Sequence, residues 1–174
     1  MSKQNTEELA EQSLRNSGMY RVPVAIEVLA NKLNLTTQAA ELGDNVSGVL
    51  VVENGRGAIA YNSDHAVVRQ RFTIAHEIAH YLLHVEKNRE PQLFIDKYVA
   101  FRSDTDSSSG SEQDEVDANK LGAALLIPGT LVLEQIKKHQ LDLDDDEDVT
   151  LLAKQFQVSV IAMTHRLTNL RLLR

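Results

Sequence analysis

The sequence predicts an α+β domain that is mostly helical, with one small antiparallel sheet set among amphipathic helices. Three observations carry that reading. GVLVVE (48–53) and AIAYN (58–62) are rich in β-branched and aromatic residues and flank NGRG, a strong hairpin signal. Before and after them, apolar residues recur at helical spacing. With 43% hydrophobic and 25% charged residues in 174, the chain can build one core without staples.

In chain order, Leu9, Ala10 and Leu14 make residues 5–17 an amphipathic helix. Pro23 suits the first turn of a second helix, VAIEVLANKL, with Val24, Val28 and Leu29 at helical spacing. The hairpin follows, then a long helix from about Ala66 to Val85. After Pro91, QLFIDKYVAF reads as helical, and SDTDSSSGSEQD (103–114) has the composition of a mobile surface loop. The helix EVDANKLGAALLI stops at Pro128-Gly129, and a short helix covers 130–139. The acidic run 142–148 leads into a helix, where anions suit the N-terminus. A calcium loop would need a D-x-D-x-D-G pattern and a closing glutamate, and both are missing. LLAKQF and SVIAMTHRL, joined by QV, form a C-terminal pair resembling a helix-turn-helix. These elements divide into a helical extension (1–22), a main domain (23–140) and the C-terminal helices (141–174) packed on it.

The totals also exclude. There is no cysteine, hence no disulfide and no thiolate metal site, which fits a reducing compartment. The polar start MSKQNTEELAEQ lacks the apolar stretch of a signal peptide, and LGAALLIP (121–128) is too short to span a bilayer. A cytoplasmic protein without membrane attachment is expected. A net charge of −7 argues against nonspecific nucleic-acid binding, because phosphate neutralisation needs a basic surface.

The chemically informative stretch is HEIAHYLLH (76–84). On a helix, Phe72, His76, His80 and Leu83 share a stripe, so the two imidazoles can converge on one ion. Glu77 is one step round, placed to hold a metal-bound water as general base; this is H-E-x-x-H. The competing reading is a core helix whose histidines are satisfied by hydrogen bonds. The apolar flanks RFTIA and YLL weigh against it. His84 extends the stripe, but eight residues of helix rise about 12 Å, too far to share a coordination sphere with His76. It reads as support.

A catalytic zinc needs a third protein ligand. Glu115 is the best candidate, on a helix whose Ala118, Gly122, Ala123 and Ala124 permit close approach to the histidine helix. Asn119, one turn on, would hydrogen-bond a ligand from behind. Asp117 is the rival ligand, and an acidic helix start is the bland explanation for all these acids.

The succession RQRFTIAHEIAHYLLH, EVDANKLGAALLIP and LAKQFQVSVIAMTHRL resembles the ImmA/IrrE metallopeptidases from about Pro23 to the C-terminus. The resemblance implies a zincin-like fold of the gluzincin kind, with His76, His80 and Glu115 as zinc ligands and Glu77 as base. It departs at Asp117, where the family usually has a second glutamate, and at Lys120-Leu121-Gly122, where Phe-Ala is common. It further implies a zinc-dependent endopeptidase that cleaves a helix-turn-helix (XRE-type) transcriptional repressor, or a member of a toxin–antitoxin-like pair. Manganese can replace zinc at such a donor set.

Three features stay open at this level. GVLVVE or AIAYN offers a sheet edge for an extended substrate, or simply packs. The donor for the tetrahedral intermediate is unassigned among Tyr81, Tyr98 and His84. The C-terminal pair, with Ala153, Phe156, Val158 and Ile161 as its small core and Ser159 as cap, could bring Lys154, His165, Arg166 and Arg171 to DNA. The acidity of the chain favours helix packing over direct DNA binding. The alternative to an enzyme is a non-catalytic, antitoxin-like protein that binds a regulator or DNA.

Overall fold

The computed structural model describes residues 3–53, 56–85, 92–97 and 112–173. Seven α-helices are seen among them: α1 (Lys3–Ser17), α2 (Ile26–Lys32), α3 (Val67–His80), α4 (Glu112–Leu126), α5 (Gly129–His139), α6 (Asp146–Phe156) and α7 (Val160–Asn169). A π-helical turn, Tyr81–Val85, follows α3 directly. Four strands form one sheet: β1 (Leu35–Ala40), β2 (Val46–Glu53), β3 (Arg56–Asn62) and β4 (Gln92–Lys97), in the order β1-β3-β2-β4.

The expected hairpin is β2–β3, with Val49 opposite Ala60 and Val51 opposite Ala58. Two further strands correct the sequence reading. LTTQAA, polar at half of its positions, adds parallel to β3 and makes the sheet mixed rather than antiparallel throughout. Gln92–Lys97, expected to be helical, instead pairs antiparallel with β2. Its Leu-Phe-Ile run fits either period, and the neighbouring strand decides. Both GVLVVE and AIAYN are consequently interior strands, paired on both sides. The outer edges belong to β1 and β4. Most of the expected loop (103–111) and Tyr98 lie outside the described residues.

α3 is the central element. The sheet packs on one side through Leu50, Val52 and Ile59, and α4 on the other, so Thr73 to His80 are all buried. α2 begins at Ile26, three residues beyond Pro23, and buries Ile26, Leu29 and Ala30. α1 seals the far side of α4 with the fully buried Ala10 and Leu14. The stretch Glu112–His139 is long and apolar enough to cross a bilayer, yet Pro128 separates its two helices. Its Leu121, Leu125 and Val132 belong to this core.

The acidic run is capping structure. Asp145 accepts from the Glu147 amide at the start of α6, and Asp142 accepts from that of Asp144. α6 and α7 meet through a left-handed Gln157, and Ser159 caps α7 by accepting from the Ala162 amide. Ala153, Phe156 and Val158 are buried as expected, but Ile161 is 72% exposed. Met163 and Leu167 fill the core instead, because Ile161 precedes Met163 by about 200° of helical rotation.

Two buried arginines fasten the assembly. Arg71 of α3 donates to the carbonyls of Val24 and Gln157, and Arg166 of α7 donates to that of Ile127 and to both Glu7 oxygens. Arg166, a proposed DNA contact, is therefore committed internally, whereas Lys154, His165 and Arg171 stay exposed. The register of α7 makes a paired prediction. Met163→Ala should cost about 2–5 kcal/mol, and Ile161→Ala should stay within about 0.5 kcal/mol. Urea unfolding of both variants checks this, and equal losses would contradict the register.

Candidate metal centre

The site forms where α3 and α4 touch. Gly122 is the contact: a Cβ there would sit 3.2 Å from the backbone N and Cα of His76 and 3.3 Å from the carbonyl carbon of Ala75. Only a hydrogen fits comfortably at that spacing. This close approach brings the first turn of α4 to the last turns of α3, and with it Glu115.

The Nε2 atoms of His76 and His80 lie 3.0 Å apart. Glu115 places Oε2 3.4 Å from His76 Nε2 and Oε1 3.4 Å from His80 Nε2. All three residues offer ligand atoms within 4.8 Å of one another. A tetrahedral ion with bonds of about 2.1 Å separates its ligand atoms by roughly 3.4 Å. The observed spacings match that requirement, and two imidazoles with one carboxylate form a recognised catalytic-zinc donor set. The residues fit a metal ion.

Electrostatics point the same way. Hydrogen bonds from His76 and then His80 hold the Glu115 carboxyl well below the usual carboxylate range, outweighing partial burial. Glu115 is therefore anionic at neutral pH. On losing those protons the same two ring nitrogens would turn lone pairs toward the carboxylate, an arrangement that suits a cation.

Glu77 is fully buried on the sheet side of α3. Gly48 of β2 makes room for it: a Cβ at 48 would lie 3.0 Å from Glu77 Oε1 and 2.4 Å from Thr73 Cγ2. Sequence reasoning passed over Gly48. Its signal was a glycine inside a strand, which often marks close approach of another element.

The remaining expectations divide. Asp117 turns along its own helix, accepting from Gln113 at 3.1 Å and lying 3.4 Å from Lys120 Nζ, so it is not part of the triangle. Asn119 is exposed and, among the described residues, hydrogen-bonds to none of His76, His80 and Glu115, a correction to its expected supporting role. The helix twist carries it past the contact face into a groove between α4 and α7. The π-helical turn sets His84 with its ring centroid 5.7 Å from that of His80 and its Nε2 4.0 Å from Asp114. Burial pushes the His84 imidazole below its ordinary value. Tyr81 is half-buried beside the core.

With this geometry in view, comparison with known proteins is decisive for the family. Residues 26–168 match the model of the peptidase family M78, described as the IrrE N-terminal-like domain. The chain belongs to this family. The match covers every strand, α2 to α6 and all but the last residue of α7; α1, outside it, bonds through Glu7 to Arg166 of α7 and through Glu11 to Thr130 of α5. No curated protein matches. The matched residues include both the mixed sheet on α3 and the helix that carries Glu115.

The contact at Gly122 is open to test. Gly122→Val should destabilise the protein by about 1–3 kcal/mol through overpacking against helix backbone. The thermal midpoint measures this, and an unchanged value would mean that the helices separate at no cost.

Proposed function

We propose that this M78 peptidase-family chain is a zinc-dependent endopeptidase acting on a helix-turn-helix transcriptional repressor. The observation that carries the enzymatic part is the triangle of His76 Nε2, His80 Nε2 and the Glu115 carboxylate, at the spacings of a tetrahedral ion. His76, His80 and Glu115 would hold the ion. Zinc bound there would supply Lewis-acid activation of water and polarise the scissile carbonyl; manganese is an alternative occupant.

The chain's own residues do the rest. Glu77 follows His76 directly and is held against Gly48. In this reading its carboxylate takes the proton from the attacking water and passes it to the leaving amide nitrogen. Glu115 is assigned ligation rather than proton transfer, since its bonds from the two histidines keep it ionised. An extended substrate segment would pair by main-chain hydrogen bonds with the outer edge of β4, because β2 and β3 are already paired on both sides. The repressor as substrate rests on resemblance within the family, whereas the expectation of a cytoplasmic enzyme rests on composition, the chain having no cysteine. Direct DNA binding finds little support, because Arg166 is buried and paired with Glu7.

Native mass spectrometry of the zinc-supplemented protein should show one ion per chain, removed by a chelator. His76→Ala, His80→Ala and Glu115→Ala should each lose it. Glu77→Gln should keep the ion and lose cleavage of a cognate repressor by roughly 10²–10⁴-fold. Full cleavage by Glu77→Gln would remove the general-base assignment, and absence of bound zinc in the unaltered protein would remove the catalytic reading.

A further inference from the structure

A mainly apolar concavity opens one helical turn from the triangle. It is a groove of about 480 Å³ between the start of α3, the end of α4 and α7. Val68 and Phe72 form one wall, Ala123 and Leu126 the floor, and Ile161 and Ala162 the other wall. A second hollow of about 260 Å³ shares Asn119, Ala123, Arg166 and Asn169 with it and extends along α4 to Glu7 and Lys120. Together they make an elongated trough with an apolar end beside the metal centre and a polar end beside α1.

We propose that the apolar end is a specificity subsite, taking one large apolar side chain of the peptide substrate about two residues from the bond that is cut. This rests on the peptidase reading above. The first argument is continuity. Phe72 belongs both to the groove wall and to the stripe of the metal-binding histidines, its ring centroid 6.4 Å from that of His76. An extended chain advances about 3.3 Å per residue. A peptide crossing His76 therefore reaches Phe72 within about two residues, so a bound substrate meets this groove on one side of the cut.

The second argument is the exposed rim. Ile161, which lines the groove, is 72% exposed. Large aliphatic side chains left in water beside a concavity mark a surface that receives apolar groups. The third concerns charge. Arg166 is committed to Glu7 and Ile127, and Arg69 donates to Ser47 Oγ at 3.0 Å, so both guanidinium groups at the groove already serve the fold. An apolar side chain suits these walls better than a phosphate or a carboxylate.

The test uses the full chain, loaded with zinc, and a library of blocked nonapeptides varied at each position among Leu, Phe, Gly, Asp and Lys. Cleavage products are sequenced by mass spectrometry, and binding is followed in parallel by NMR of ¹³C-labelled alanine methyls. Leu or Phe should be preferred over Gly about two residues from the cut, with Ala123 and Ala162 methyl shifts moving as those peptides are added. Ala123→Phe, which fills the floor, should lower the ratio of kcat/KM for Leu over Gly peptides by roughly 10–100-fold. Ile161→Asp should lower the same ratio, and it is too exposed to disturb folding. The ratio is internal to each variant, so a general loss of folded protein leaves it unmoved.

Cleavage with no apolar preference, or with ratios unchanged in both variants, would overturn the subsite while leaving the peptidase reading intact. No cleavage, with methyl shifts on adding apolar peptides, would overturn that reading and keep the groove as an apolar peptide site. Neither cleavage nor shifts would overturn both.

Discussion

The contact between Gly122 and the backbone of His76 is the constraint on which the site depends. His76 and His80 of the triangle come from one helix and are placed by its 3.6-residue period alone. Glu115 comes from another helix, and its distance from them is set wherever those two helices touch. A side chain at 122 would hold α4 away by a fraction of an ångström or more, and the spacings around Glu115 have little to spare. Small residues in this helix therefore act on the chemistry through geometry, without touching any reacting group.

A second layer of the design is the placement of charge inside an apolar helix. α3 buries His76, Glu77 and His80 in succession, which is costly unless each group has compensation. Glu115 supplies it for the two histidines from outside the helix. Glu77, one step round the helix from His76, lies against β2 in the space that Gly48 leaves. The sheet thus makes room for Glu77 while α4 brings a carboxylate to its neighbour His76.

Much of this was legible in the sequence where period and spacing determine the outcome. The histidine pair, the glutamate between them, the β2–β3 hairpin and the α6–α7 turn all follow from local rules. Glu115 was legible because the alanines and Gly122 signalled a close helix contact. What failed was set by neighbours distant in sequence. Gln92–Lys97 is a strand because β2 offers it a partner, and Leu35–Ala40 because β3 does. Ile161 reads as core from hydropathy, but the register of Met163 and Leu167 turns it outward. Asn119 shares a stripe with Glu115 on a flat helical net, yet the real twist and the crossing of α3 carry it into the groove.

The two buried arginines have a bearing on how this architecture tolerates sequence drift. Arg71 is satisfied by the carbonyls of Val24 and Gln157, and Arg166 in part by that of Ile127. A main-chain carbonyl is present whatever residue occupies the position, so no substitution at 24, 127 or 157 need remove the acceptor. The C-terminal helices are in this way tied to α3 and α4 by bonds indifferent to side-chain identity on the accepting side. Residues on their outer surface, Ile161 among them, are free to diversify without loosening the attachment. A lineage could retune what this face recognises while the machinery beneath it stays in register.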